Sequence, residues 1–319
     1  MNYKEKRIKY INSWPNSDYF ELEKQYLDKY NNCKLKYETY KFKLYDDMNY
    51  NIVISNIMDA LDNLPYRPDI AFEFYWKAID NLLKLLDTSS TTSKEQLQFS
   101  IRQVWIKKAN NNEKLNDLFS ELTYQIKSTS AKYLYKRLYE NYDKRVRFEN
   151  QSIKSTRQLL MRLKDYHSDL SSNNIYNIIE YIGYQYGYDN RNSYEKIHKG
   201  SRFLMLLLKR KNLVLKNNIE VNGRLTNSIK LNLEEQFNFM INGLLYTFRN
   251  DRFHGNIISP FRSSLSKFET YSHPFYCLIW AELLLLLLLE ELGFADMDSI
   301  IKHCTKNLNF YKELFVNID

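Results

Sequence analysis

The stretch Arg249-Asn250-Asp251-Arg252-Phe253-His254-Gly255 places an arginine, an amide and a histidine at the end of a segment whose apolar residues repeat at helical spacing. These are the groups that RNA cleavage without a metal requires. In that reaction the ribose 2′-oxygen attacks phosphorus, a base removes its proton, and an acid protonates the departing 5′-oxygen. Positive charge offsets the charge gathering on the phosphorane-like transition state. Histidine suits the acid and base roles because its ordinary pKa, about 6.5, lies near working pH. Arginine suits the charge role because its fork matches phosphate oxygens and stays protonated. Asn250 and His254 are four residues apart and share a helix face, so the amide can orient the imidazole or the substrate. Arg249 lies about 140° around the helix from His254, at ~100° per residue, and must bend to reach the same phosphate. One histidine is thin for both acid and base; a symmetric dimer that pairs two motif helices supplies both.

Two other arginines precede a histidine at this spacing, in Arg162/His167 and Arg191/His198. Arg162 is followed by Leu163 within a charged helical stretch, and Arg191-Asn192 falls in a loop-like run ahead of Gly200. A working second pair would make the chain a pseudo-dimer. The plainer reading of Arg249–His254 is a helix end, where basic side chains favour the macrodipole and Gly255 stops the helix at C′. Between Lys196 and Lys230 nine Lys or Arg face a single acid, Glu220. Lys209, Arg210, Lys211 and Arg224 in that run are the candidates for tracking an RNA backbone.

The elements that must position these groups are mostly helical. The chain has seven glycines, all at or after Gly183, so its first half lacks the turn chemistry of hairpins. An all-α fold follows. Residues 1–47 read as a helical extension. Met48–Asn63 is a helix ended by Leu64-Pro65, and Pro68-Asp69 opens a core helix over Ile70–Leu86. Ser93 is placed to cap a helix over Lys94–Ala109. The heavily charged stretch at about 90–175 reads as a helical hairpin or arm, an insertion if the rest of 48–319 forms one bundle. Residues 174–188 carry five tyrosines, whose rings can stack on bases but more simply fill an interior. Asn222-Gly223 between alternating residues predicts one short β-hairpin near 218–231. Asn232 caps the motif helix, with Glu234 and Glu235 in its first turn.

Composition narrows the class further. Hydrophobic residues at 44% and charged residues at 26% fit a globular protein, and a net charge of +8 suits a polyanionic partner. Three scattered cysteines (Cys33, Cys277, Cys304) offer neither a disulfide framework nor a zinc site, and point to a reducing, cytoplasmic setting. The leucine run Leu283–Leu289 is bracketed by Glu282, Glu290 and Glu291 and is far shorter than the ~20 residues a span needs. It reads as a helix buried in a bundle or in a dimer seam. No phosphate-cradling glycine loop, nucleophile elbow or metal-ligand spacing competes with the motif, so neither cofactor nor metal is expected.

Arg249-Asn250 followed by His254 resembles the R-x4-6-H motif of HEPN-domain ribonucleases, in which the residue after Arg is typically polar. The helix Ala71–Asp80 is similar to the early HEPN helix that carries an acidic residue on an apolar face. The resemblance implies a HEPN-like helical bundle with Arg249, Asn250 and His254 catalytic. Asp251, Arg252, Glu73 and Asp80 would then play supporting roles. It further implies a homodimer with the site at its interface. The activity implied is cutting of tRNA, mRNA or phage RNA to leave 2′,3′-cyclic phosphate and 5′-hydroxyl ends. The setting implied is anti-phage defence or a toxin restrained by an antitoxin or sensor protein. Two rival readings are a non-catalytic RNA-binding or regulatory HEPN-like protein and a helical dimerisation scaffold. The scaffold predicts that Leu285→Glu breaks assembly.

Overall fold

A computed structural model describes residues 2–139, 159, 162–163, 172–186, 194–209, 213–221, 224–229, 231–254 and 261–318. The protein is all-α with one short antiparallel hairpin, and 74% of it is helical. In chain order the first helices are α1 (Tyr3–Asn12), α2 (Glu21–Asn32), α3 (Met48–Asp62) and α4 (Pro68–Leu86). Next, α5 (Ser93–Ser100) passes through a π-helical stretch, Ile101–Ile106, into α6 (Lys107–Asn111). Then follow α7 (Glu113–Tyr124), α8 (Ser128–Tyr139), α9 (Ser172–Tyr186) and α10 (Tyr194–Leu208). The hairpin pairs β1 (Leu213–Val221) with β2 (Arg224–Ile229). After it come α11 (Leu233–Phe237), a second π-helical stretch Asn238–Leu245, and α12 (Tyr246–Phe253). The chain closes with α13 (Ser272–Glu291) and α14 (Met297–Leu314).

The chain forms two compact units, one of residues 1–96 with 249–318, the other of residues 97–248. This division differs from a 1–47 extension attached to a 48–319 domain with an insertion at 90–175. Residues 1–47 belong inside the first unit because their side chains build its core. Tyr26 stacks on Tyr271 with ring centroids 3.7 Å apart, and buried Glu23 pairs with Arg262 at 2.9 Å. The segment after α2 is extended and tied to α14, with the Glu38 backbone bonded both ways to the Asn307 amide at 3.0 Å. Part of the 90–175 stretch, 140–158, 160–161 and 164–171, lies outside the described residues.

In the first unit α4 packs against α3 and α13. The apolar window of the helical stretch Phe268–Glu291 is long and apolar enough to cross a membrane, yet 94% of it is buried inside the protein. Protein covers every face of the leucine run, Leu285 included at 0% exposure. A charge at Leu285 therefore breaks the unit's own core rather than a seam between copies.

In the second unit Phe119 of α7 packs edge-on against Phe237 of α11, and α8 packs on α10 at Gly200. Tyr181 of α9 is buried and Tyr186 half-buried, so these two of the five tyrosines fill the interior rather than offering faces to bases. The hairpin begins at Leu213, five residues before the expected start, and its Asn222-Gly223 turn lies outside the described residues. Thr92, not Ser93, accepts the Glu95 N–H, while the Glu95 carboxylate accepts the Thr92 N–H at 3.1 Å in return.

Candidate active site on the motif helix

The motif helix starts where local chemistry dictates. Asn232 Oδ1 accepts the Glu235 N–H at 2.8 Å and Glu235 Oε2 accepts the Asn232 N–H at 2.9 Å, a reciprocal capping box. From Asn238 to Leu245 the helix widens to π geometry, which the residue pattern does not announce. A π turn disturbs the regular ladder and leaves carbonyls to be met by other donors. Arg162 meets one. Its Nε donates to the Asn242 carbonyl at 3.4 Å and its Nη2 to Thr247 Oγ1 at 2.9 Å, with the guanidinium 4.9 Å from the Tyr246 ring. Asn238 adds a bond from Nδ2 to the Leu163 carbonyl at 2.9 Å. Arg162 is 5% exposed, so it holds the widened turn and offers no surface to RNA. Its partner in the second candidate pair, His167, lies outside the described residues, as does Arg191; His198 is exposed on α10 beside Tyr194.

The C-terminal end of the motif helix faces α4. On α4, Asp69, Glu73 and Asp80 lie four and seven residues apart and share a face. Arg249 and Arg252, three apart, meet them. Arg249 Nη2 donates to Asp80 Oδ2 at 2.9 Å, while Asp80 Oδ1 accepts the Trp76 indole N–H at 3.1 Å. Arg249 Nη1 donates to Asn250 Oδ1 at 3.1 Å, and its guanidinium lies 4.5 Å from the Phe253 ring centroid. Arg252 donates from Nε to Glu73 Oε1 at 2.7 Å and pairs through Nη2 with Asp69 Oδ2 at 2.9 Å.

Asp69 is wholly buried and lies between two arginines, because Arg67 also grips both its oxygens at 2.9 Å. Burial works against the Arg67 charge, and the bond and charge of Asp69 outweigh it, leaving the guanidinium pKa raised. Asp69 was legible only as an acid in a helix's first turn. Its second role, bridging to residue 252, depends on a pairing across most of the chain.

The two motif arginines thus differ. Arg252 is consumed by Asp69 and Glu73 at 10% side-chain exposure, whereas Arg249 sits at 19% beside the helix end. Asn250 orients the guanidinium rather than the imidazole. His254 is exposed in the turn after Phe253, its backbone N–H bonded to the Asn250 carbonyl at 3.1 Å. Asp251 is buried. Gly255 lies outside the described residues.

Of the basic candidates, Lys209 lies over the Tyr124 ring at 5.3 Å. Arg210 and Lys211 lie outside the described residues, and Arg224 stands on β2. Among the described residues no three His, Cys, Asp or Glu side chains gather to share a metal ion. The arrangement provides a guanidinium fixed by Asp80 and Asn250 and, five residues further along the same helix end, an exposed imidazole. Comparison with protein-family models, curated proteins and solved structures returns no match for this chain.

Proposed function

We propose that the chain is a HEPN-type, metal-independent endoribonuclease. The observation that carries the reading is the Asp80–Arg249 pair. An acidic residue of an early helix fixes the motif arginine, and the exposed histidine follows five residues later in the same unit. A guanidinium held from one side by a carboxylate is oriented before substrate arrives, which lowers the cost of positioning it in the transition state. His254 of one copy takes the 2′-hydroxyl proton as the 2′-oxygen bonds to phosphorus. His254 of a second copy protonates the 5′-oxygen as the P–O5′ bond breaks. Arg249 stabilises the charge on the non-bridging oxygens. The products are a 2′,3′-cyclic phosphate and a 5′-hydroxyl, and a homodimer acting on tRNA, mRNA or phage RNA in the cytoplasm follows. Such an activity suits anti-phage defence or a toxin under the control of an antitoxin or sensor.

A non-catalytic, RNA-binding reading has one observation in its favour: both terminal nitrogens of Arg249 are already engaged, by Asp80 and Asn250. One experiment separates the two. Wild type, His254→Ala and Arg249→Ala are incubated with end-labelled tRNA and total RNA in EDTA. The ribonuclease reading expects cutting by wild type, and rates at least about 100-fold lower in either variant with folding intact. Full activity in well-folded His254→Ala protein would refute it. RNA shifted on a native gel but left uncut favours the binder.

A further inference from the structure

The first unit holds a cavity of about 510 Å³, formed by the extended segment after α2 and by the Gly293–Lys306 stretch that includes the start of α14. That volume lies within the range of small-molecule sites, about 300–1,000 Å³. Its lining is one-sided in charge. Lys41, Lys43, Lys302 and Lys306 border it, against the carboxylates of Glu38 and Asp296.

Both carboxylates are occupied. Glu38 pairs with Lys306 at 3.0 Å, and Asp296 accepts the Ser299 N–H at 2.9 Å, which together with Lys43 keeps its carboxyl below its ordinary pKa. Lys41 and Lys302 form no ion pair among the described residues. The remaining wall is aromatic: Tyr40, Tyr45 and Phe294, with Tyr45 edge-on to Phe294 at 5.1 Å.

His303, 8% exposed, also lines the cavity. Its Nε2 is 2.9 Å from Oε1 of the buried Glu282, whose Oε2 accepts the Asn307 amide at 2.9 Å. Nδ1, on the other edge of the ring, makes no hydrogen bond among the described residues. A carboxylate that fixes one imidazole nitrogen sets the ring's orientation and tautomer, and leaves the second nitrogen to address whatever enters. Surface lysines alone would not make a site. Lysines beside an aromatic wall, with a braced and nearly buried histidine in the same lining, do.

We infer that this cavity binds a nucleoside phosphate, with the phosphate among Lys41, Lys43 and Lys302, the base against Tyr45 and Phe294, and His303 Nδ1 hydrogen-bonded to the ligand. Lysine ammonium groups bind phosphate as point charges, and aromatic faces accept any base. The site is separate from the Arg249–His254 motif and does not rest on the ribonuclease reading.

Isothermal titration of the full chain with AMP, ATP, ribose 5-phosphate and inorganic phosphate tests it. AMP or ATP should bind at least tenfold more tightly than ribose 5-phosphate, and inorganic phosphate more weakly still. Lys41→Ala/Lys302→Ala changes only exposed side chains and should weaken nucleotide binding at least tenfold with the melting temperature unchanged. Tyr45→Leu should weaken AMP while sparing ribose 5-phosphate. His254→Ala should bind nucleotide as wild type does, which separates this cavity from the motif. No binding by any nucleotide overturns the assignment, as does equal affinity for AMP and ribose 5-phosphate, or nucleotide binding indifferent to the double lysine variant.

Discussion

Arg252→Met separates the two arginines of the motif. Methionine keeps much of the apolar stem and removes the guanidinium, so the loss is chiefly electrostatic. Asp69 has 0% exposure and shares Oδ2 between Arg67 and Arg252 at 2.9 Å each. Leaving a buried charge without its partner costs about 3–5 kcal/mol. Arg67 still grips both Asp69 oxygens after the substitution, and Glu73 is partly wet, so the lower end applies, about 3 kcal/mol. In chains of about 150–250 residues each kcal/mol lowers Tm by about 2–4 °C, which gives a drop of roughly 6–12 °C. Arg249→Met opens a pair whose members are 19% and 18% exposed, so water recovers part of the loss, leaving about 1–2 kcal/mol. Thermal melting followed by far-UV circular dichroism near pH 7 reads both. Asp69→Asn in the Arg252→Met background should cost less than the sum of the single changes, because the orphaned charge is gone. If Arg252→Met costs under about 1 kcal/mol, or if Arg249→Met costs more than Arg252→Met, the division into an anchoring arginine and a more exposed one fails.

Two further outcomes are expected. A Cβ at Gly200 would meet the Tyr135 ring, with Cζ at 2.6 Å, so Gly200→Ala should cost about 1–3 kcal/mol and Tyr135→Leu should relieve part of that loss, as read by urea unfolding. Burial pushes the His273 pKa down to about 3, well under the ordinary value near 6.5. The unfolded chain then takes up a proton below pH 6.5 that the folded ring refuses, so stability falls as pH falls, by about 2 kcal/mol between pH 7 and pH 5. Melting curves of wild type and His273→Gln across that range should diverge by this amount; parallel curves would show that the ring protonates in the folded state.

Most of what is decided within a few residues was legible in the chain, although the cap before α5 falls on Thr92 rather than Ser93. The Asn232 capping box, Pro68 opening α4 and the hairpin cue Asn222-Gly223 are local, so residue type and spacing suffice. The acidic face of α4 was legible as a list of carboxylates, but which arginine each one meets depends on contacts between distant stretches. The π turns carry no compositional mark; the second, Asn238–Leu245, is met by Arg162, which donates to the Asn242 carbonyl. Glu282 read as the end of a leucine run, although a carboxylate between Ala281 and Leu283 on a buried helix demands partners. Those partners, His303 and Asn307, lie on the next helix, and His303 lines the lysine-rim cavity. The unit boundaries were hidden for a related reason: Tyr26 belongs to the core by stacking on Tyr271, and nothing near Tyr26 in the chain says so.

The Asp80–Arg249 pair joins residues 169 positions apart, and the Glu73–Arg252 pair joins residues 179 apart. At about 5–20 residues per second, a ribosome that has made α4 needs roughly 10–30 s more to make the arginines that complete it. During that interval Asp69 has only Arg67, and the apolar faces of α4 await α13. A nascent chain therefore lacks the assembled acid–arginine cluster until most of the protein has left the ribosome.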